Sequence, residues 1–234
     1  MEEKAFSFFE KDPHAYADMK ECVVRGRAEI VYAGEDGVLL IDKPSAICSF
    51  AANTKEAGER ILKGFTPPNT ARKFIVAHGD EAVAAVKSTF LVEGGTPCYQ
   101  VVYEGGELPI DTTLTFKKAD REEARIIEEY DRESPENLRM LVKAGQIWCA
   151  YEGEEFVGFI GRHPEGSMGL LLIFPPYRRK GYAYALEAKQ INEILKEGRV
   201  PYAHIITDND KSFALQQKLG FSVAEKLVTW MKIS

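Results

Sequence analysis

The sequence predicts an α/β (α+β) protein, in which a mixed twisted sheet is flanked by helices. Residues Gly169–Phe174 form a short, unbroken apolar run, which is typical of a strand buried on both faces and predicts a central strand. Two prolines then stop strand pairing, and a basic loop leads into a helix with Tyr184, Ala188 and Ile191 on one face. Strand-like and helix-like segments alternate along the rest of the chain.

The other elements follow from turn and capping signals. In the first half we expect strands over residues 28–33, 38–42, 45–52, 73–77 and 98–103, and helices over residues 14–25, 53–64 and 80–91. In the second half we expect strands over residues 114–116, 147–151, 156–161 and 202–207, two strands or one bent strand over residues 221–233, and helices over residues 120–130, 134–143 and 209–219. The aromatic cluster at residues 6–9 fits neither the helical nor the strand period, so we assign no element to it.

The chain divides best at Glu104–Pro109, where glycines and a proline have little to pack. This predicts two domains, residues 1–107 and residues 108–234. Both halves show the order strand, acidic glycine turn, strand, proline-containing turn and strand, so we interpret them as a tandem of related α/β units. The first half has no cationic glycine loop after its third strand.

The basic loop has the features of an anion site. The first N–H groups of a helix lack intrahelical partners and carry the positive end of its dipole. Gly181 and Ala183 leave room for a ligand, and three cations, Arg178, Arg179 and Lys180, surround the same point. The pattern predicts a phosphate or diphosphate site.

Arg178 to Ala183 reads R-x-x-G-x-A, and this resembles the acyl-CoA-binding motif of the GNAT N-acetyltransferase superfamily. A second motif, from Asn209 to Phe221, resembles the family's N-x-x-S/A … K-L-G-F element. The resemblance covers about residues 111–234 and implies the GNAT acyl-CoA N-acyltransferase fold, with a degenerate GNAT-like N-terminal unit. It also implies acetyl-CoA (coenzyme A) as the cofactor.

The resemblance also implies the cofactor-binding residues. The loop and the start of the helix would hold the pyrophosphate, through Arg178, Arg179, Lys180, Gly181, Tyr182 and Ala183. The backbone of the preceding strand, at Leu172, Ile173 and Phe174, would pair with the pantetheine arm. Asn209 would bond that arm, with Ser212 near it, although Asn209 is equally explained as a helix cap.

The chain departs from the family at two catalytic positions. Ser167 stands where many members have a glutamate at the start of the strand, and Gln216 stands where many have a tyrosine. The candidate catalytic groups are therefore Glu165, His163 and His204, acting directly or through water. A backbone N–H near Leu172 or Ile173 would polarise the thioester carbonyl.

Bulk properties limit the partners. A net charge of -6 argues against nucleic acid, and no run approaches the roughly 18 apolar residues of a membrane span. The N-terminal residues do not resemble a secretory signal, so we expect a cytoplasmic protein. The four cysteines and four histidines are scattered, which predicts reduced thiols and no metal site.

These observations predict an acetyl-CoA-dependent N-acyltransferase whose acceptor is a small-molecule amine or an amino acid. The second motif and the degenerate first half most resemble the glycine N-acyltransferase-like branch of the superfamily. The alternatives are a coenzyme A-binding sensor that has lost turnover and a plain interaction module. The sequence does not predict the acyl-chain length or the oligomeric state.

Overall fold

The computed structural model describes residues 1–70, 73–110, 113–130 and 135–234. In these residues the α-helices are α1 (Glu2–Phe9), α2 (Ala17–Val24), α3 (Lys55–Leu62), α4 (Asp80–Thr89), α5 (Arg121–Tyr130), α6 (Pro135–Lys143), α7 (Tyr182–Lys196) and α8 (Asp210–Leu219). The predicted start of α6 at Ser134 lies outside the described residues.

The strands follow the same numbering. They are β1 (Ala28–Ala33), β2 (Gly37–Asp42), β3 (Ile47–Ala52), β4 (Lys73–His78), β5 (Val92–Val102), β6 (Thr115–Lys118), β7 (Ile147–Glu152), β8 (Glu155–Arg162), β9 (Met168–Ile173), β10 (Tyr202–Ile206), β11 (Ser222–Val223) and β12 (Val228–Ile233). They form an eight-stranded sheet and a four-stranded sheet in the described part of the chain.

One compact unit comprises residues 1–102, 204–217 and 221–234. Its sheet has the order β1-β2-β3-β4-β12-β5-β10, with β11 beside β5. The pair β3–β4 is parallel, whereas β1–β2, β2–β3, β4–β12, β5–β12 and β5–β11 are antiparallel, so the sheet is mixed.

Strand β2 shows why this sheet needs a continuous apolar sequence. Val38 and Leu40 pack into a cluster with side chains of α1 and α2, whereas Leu39 packs into a second cluster with side chains of α3 and α4. Successive strand residues point to opposite faces, so helices cover both faces of this sheet.

The second unit comprises residues 103–203 and 218–220. Its antiparallel sheet has the order β6-β7-β8-β9. Helices α5 and α6 contribute Ile127, Leu138 and Leu141 to the main hydrophobic cluster of this unit, and α7 packs on β7, β8 and β9.

Two findings differ from the sequence analysis. The predicted central position of β9 was wrong, because β9 is the edge strand of the four-stranded sheet. Residues 169–172 are only half-buried, so the apolar run does not mark a strand at the centre of the sheet. The compact units also do not follow the boundary at residues 107–108, since β12 pairs with β4 and β5 of the first half.

Four cysteines, Cys22, Cys48, Cys98 and Cys149, are buried as free thiols, as predicted. Burial raises the pKa of the Cys48 thiol to about 12, so this thiol is protonated near neutral pH. Among the described residues, no helix is long and apolar enough to span a bilayer.

Candidate functional site

Strand β9 contains a bulge that interrupts its pairing with β8. Leu172 lies opposite Phe159 and Gly169 lies opposite Gly161, so two residues of β9 face one residue of β8. Leu170, one of the two, has a φ of 54°, which is rare for a residue with a side chain. A bulge bends a strand and releases backbone groups from the ladder.

Beyond the bulge, the backbone of Ile173 faces the free edge of β9, which pairs with no strand of the described residues. The Phe174 N–H donates to the Val157 carbonyl at 3.0 Å, so Phe174 points towards β8. In an antiparallel pair, successive residues of a strand point their N–H and carbonyl groups alternately towards and away from the partner strand. The N–H and carbonyl of Ile173 therefore point away from β8. The Arg178 Nε–H donates to the Ile173 carbonyl at 2.9 Å, on that same side.

The chain leaves β9 through a short 3-10 turn at Pro175–Tyr177 and then reaches α7. Gly181 is the N-cap of α7 and has a φ of 83°, a left-handed conformation that favours glycine. A Cβ built on Gly181 meets no atom within 4 Å, so the space in front of the helix is open. The predicted glycine position is thus the point where the backbone turns into α7.

The first turn of α7 has no side-chain cap within the described part of the chain. Its leading N–H groups therefore remain available to an anion. Arg178 and Arg179 are exposed beside this turn, and Arg179 has a φ of 68°. The motif residues from Arg178 to Ala183 are brought together at one helix N-terminus, where the sequence analysis predicted them.

Glu152 at the end of β7 anchors the loop. Its carboxylate accepts a hydrogen bond from the Tyr182 hydroxyl and forms an ion pair with Lys180 Nζ at 2.9 Å. The Tyr182 hydrogen bond, followed by that from Lys180, lowers the pKa of Glu152. Lys180 is therefore partly neutralised by the protein, whereas the Arg178 and Arg179 side chains have no such carboxylate in the described residues. The sequence analysis missed Glu152, which lies in an ordinary acidic turn.

Asn209 and Ser212 belong to the other compact unit. The Ser212 N–H donates to Asn209 Oδ1 at 3.2 Å, so Asn209 caps α8. The capping interpretation of Asn209 is confirmed. Contact of Asn209 or Ser212 with a cofactor stays a prediction.

Glu165 and His163 lie on the turn before β9. The buried Ser167 hydroxyl donates to the Glu165 carboxylate, and the Tyr202 hydroxyl donates to the Glu165 carbonyl at 3.1 Å. The His163 ring lies against Gly169, where an added Cβ would collide with its Nε2. Ser167 thus holds the carboxylate of Glu165 near the start of β9, two residues before the position for which the sequence analysis considered a glutamate.

His204 is in a different environment. Its Nδ1 accepts a hydrogen bond from Trp230 Nε1 at 3.0 Å, and its Nε2 lies 2.7 Å from Gln100 Oε1. The Trp230 donor leaves Nδ1 without a proton, so Nε2–H is the donor to Gln100. Both ring nitrogens are engaged and the side chain is only 5% exposed, which gives no support to His204 as a general base.

Gln216, at the position for which the sequence analysis considered a tyrosine, is 2% exposed. An amide at this position does not ionise, so it offers no proton to a leaving thiolate. The structure thus groups Glu165, His163 and Ser167 at one strand end and leaves His204 and Gln216 in the other unit.

Residues 149–230 match the family model described as FR47-like protein. Among proteins with curated functions, no sequence matches this chain. The matched segment runs from β7 into β12 and includes the basic loop.

Several solved structures resemble the whole chain. A Drosophila protein aligns with a TM-score of 0.65 and 16% identity over 85% of this chain and 74% of its own. A putative GNAT-family acetyltransferase from Novosphingobium aromaticivorans aligns with a TM-score of 0.60 and 16% identity, over 94% and 96%. A GCN5-related N-acetyltransferase from Kribbella flavida aligns with a TM-score of 0.55 and 16% identity, over 93% of both chains. The chain therefore has the fold of GNAT acyltransferases.

Proposed function

We propose that this chain is an acetyl-CoA-dependent N-acyltransferase that acylates a small-molecule amine or an amino acid by direct attack. One observation carries the proposal: an uncapped helix N-terminus, entered through Gly181 and flanked by exposed arginines, directly follows a strand with a bulge and a free edge. The GNAT fold and the FR47-like match over residues 149–230 support the same activity.

The residues present fit coenzyme A. A diphosphate at α7 would accept hydrogen bonds from the N–H groups of Tyr182 and Ala183, in the open space in front of Gly181. Arg178 and Arg179 add positive charge beside it, and Lys180 contributes less because Glu152 pairs with it. The backbone edge from Leu172 to Phe174 would hold the extended arm by strand-like pairing, chiefly through Ile173.

When bound, acetyl-CoA supplies an acyl thioester. The Ile173 N–H points to the free edge of β9, and we infer that it would polarise the acyl carbonyl. Leu172, the other candidate donor, points its N–H towards β8 and is therefore not our proposal. A backbone donor needs no particular side chain, so the contact is compatible with Ser167 and Gln216.

The proton balance requires a base, because an alkylammonium of pKa about 10.4 costs roughly 4–5 kcal/mol to deprotonate at pH 7. Glu165 is our choice of base: Ser167 fixes its carboxylate at the start of β9. His163 stands on the same turn and is the alternative. Each would accept the proton of the attacking ammonium, directly or through water.

We also propose that the chain is a tandem of two related GNAT-like units, of which the first does not bind coenzyme A. The order β1-β2-β3-α3-β4-α4 parallels β7-β8-β9-α7-β10-α8. In the first half, however, β3 pairs with β4 in parallel. The N–H groups at the start of α3 already donate hydrogen bonds to side chains of the protein. The Ala57 N–H donates to Thr54 Oγ1 at 3.2 Å and the Lys55 N–H to Glu81 Oε2 at 2.8 Å.

The acceptor we propose is a small amino compound, because the second motif and the degenerate first half resemble the glycine N-acyltransferase-like branch. Asn209 and Ser212 carry that motif. Thiol release from acetyl-CoA with glycine, other amino acids and simple amines identifies the acceptor class. Release with none of them, despite binding, supports a coenzyme A-binding protein without turnover.

Titration calorimetry of the full chain with acetyl-CoA tests the binding step. We expect a saturable heat that is lost in the double variant Arg178→Glu, Gly181→Asp. The control Lys143→Glu reverses the charge of an exposed cation of the same unit, as Arg178→Glu does in the loop, and should bind as the unmodified chain does. No heat at high micromolar acetyl-CoA, or equal loss in the control, contradicts the proposal.

A further inference from the structure

Lys118, Trp148 and Arg162 share one face of the four-stranded sheet. Lys118 lies opposite Trp148 on β7, and Trp148 lies opposite Ile160 on β8. Arg162 is two residues beyond Ile160 and therefore points to the same face. Lys189 of α7 packs on the same face, where its Nζ lies 4.2 Å from the centre of the Trp148 ring.

Two of the three cations of this cluster are paired with carboxylates. Arg162 binds Glu197 through two hydrogen bonds of 2.7 Å each. Lys189 Nζ pairs with Glu193 Oε1 at 2.9 Å. In the described part of the chain, no carboxylate lies within ion-pair distance of Lys118. Its Nζ lies instead 3.8 Å from the centre of the Trp148 ring.

This placement disfavours the ammonium form. Burial of the amine against its neighbours, followed by repulsion from Arg162, lowers the pKa of Lys118 to about 8. At pH 7.5 about a quarter of such an amine is neutral, against about 0.1% of an ordinary lysine. The residue as a whole is exposed, so a reagent can reach the partly buried amine.

The adjacent residue provides a natural comparison. Lys117 points to the opposite face of β6, where its Nζ pairs with Glu123 Oε1 at 2.6 Å. Hydrogen bonding to Glu123 raises the pKa of Lys117. Two consecutive exposed lysines thus differ in the charge around their amines.

We propose that Lys118 is a modification site of this protein, at which activated acyl donors such as thioesters, acyl phosphates or anhydrides acylate the side-chain amine. The amine lone pair attacks the acyl carbon and forms a C–N bond. The bond to the leaving group breaks, its electron pair departs with the thiolate, phosphate or carboxylate, and the nitrogen loses a proton to water. The product is a neutral amide beside the Trp148 ring, which relieves the repulsion from Arg162.

This site does not depend on coenzyme A binding, so its test uses a small chemical donor. The full chain receives a brief, limiting pulse of acetic anhydride at pH 7.5, and chymotryptic peptides are quantified by tandem mass spectrometry. We expect Lys118 to be acetylated at least about tenfold faster than Lys117 or Lys143. The advantage should shrink as the pH rises towards 10, because ordinary lysines then become neutral as well. Equal rates at Lys118 and Lys117 at pH 7.5 overturn the proposal.

A variant tests the cause. Lys189→Gln removes one cation and leaves Glu193 paired with Lys196 alone, so Lys118 should react several-fold more slowly. Lys143→Gln serves as the matched control and should leave the rate at Lys118 unchanged. Circular dichroism confirms that both variants are folded. An unchanged rate in Lys189→Gln contradicts the role given to the cation cluster.

Discussion

Asp18 and His78 form a buried ion pair, in which His78 Nε2 lies 2.9 Å from Asp18 Oδ1. His78 Nδ1 lies 3.2 Å from the Phe50 carbonyl and must donate to it, since a carbonyl has no proton. With the Asp18 carboxylate ionised, Nε2 donates as well, and the ring is an imidazolium. The pair joins α2 to β4 through side chains that are 6% and 0% exposed.

Replacing His78 by leucine should destabilise the protein by about 3–5 kcal/mol, because it leaves the Asp18 charge buried without its cation. The double variant Asp18→Leu, His78→Leu should lose less than the sum of the two single losses. Urea unfolding of the four proteins measures this coupling. Additive losses would show that the two side chains act independently.

The stability of the protein should depend on pH through the same pair. Burial alone would lower the pKa of His78, but Asp18 raises it above its ordinary value. This contribution is complete below about pH 6.5 and is lost as the pH rises through the higher folded pKa. Burial opposes ionisation of Asp18, yet His78 lowers its pKa, so that contribution is lost in strong acid.

The free energy of unfolding contributed by the pair is therefore greatest between about pH 4 and pH 6.5. Urea midpoints measured from pH 5 to pH 9 should fall more steeply for the unmodified chain than for the variant His78→Gln. Parallel curves would assign the pH dependence to other groups.

Glu165→Gln should lower kcat about 100-fold or more, the usual contribution of a general base, without changing the dissociation constant of acetyl-CoA. Ser167→Ala removes only the hydrogen bond that positions Glu165 and should lower kcat about tenfold. Thiol-release kinetics and calorimetry separate the two quantities. A Glu165→Gln rate within twofold of the unmodified rate assigns the proton transfer to another group, with His163 next to be replaced.

Gly58→Ala should destabilise the protein, although alanine favours a helix by about 1 kcal/mol over glycine. A Cβ on Gly58 of α3 would lie 2.5 Å from Ala85 Cβ of α4 and 3.2 Å from Phe50 Cζ. Overpacking of this kind costs about 1–3 kcal/mol, so the crowding outweighs the helix preference. Thermal unfolding checks the sign, and a raised Tm would mean that α3 and α4 separate without cost.

Local sequence signals predicted the candidate site well. The apolar run, the prolines and the glycine loop predicted β9 and α7, observed at Met168–Ile173 and Tyr182–Lys196. The bulge at Leu170 had no such signal, because its positive φ is imposed by pairing with β8 and not by the residue type. The Glu152 anchor depends on a contact that spans 30 residues, to Tyr182, and no local pattern encodes it.

Long-range packing also explains the errors in the fold. The cluster at residues 6–9 is helix α1, in which Phe8 and Phe9 are buried and both lie near Tyr16. A helix this short depends on packing of its apolar side chains, so its local period is weak. Strand β5 begins at Val92 and not at Cys98, because β12 pairs along its glycine-containing first part.

The position of β12 has a consequence for biosynthesis. Lys232 of β12 pairs with Glu93, which lies 139 residues earlier in the chain. As the polypeptide emerges from the ribosome, the edges of β4 and β5 that pair with β12 remain unpaired until β12 has been translated. The nascent first half is then a candidate client for chaperones that shield unpaired strands, and its sheet closes only after translation of β12.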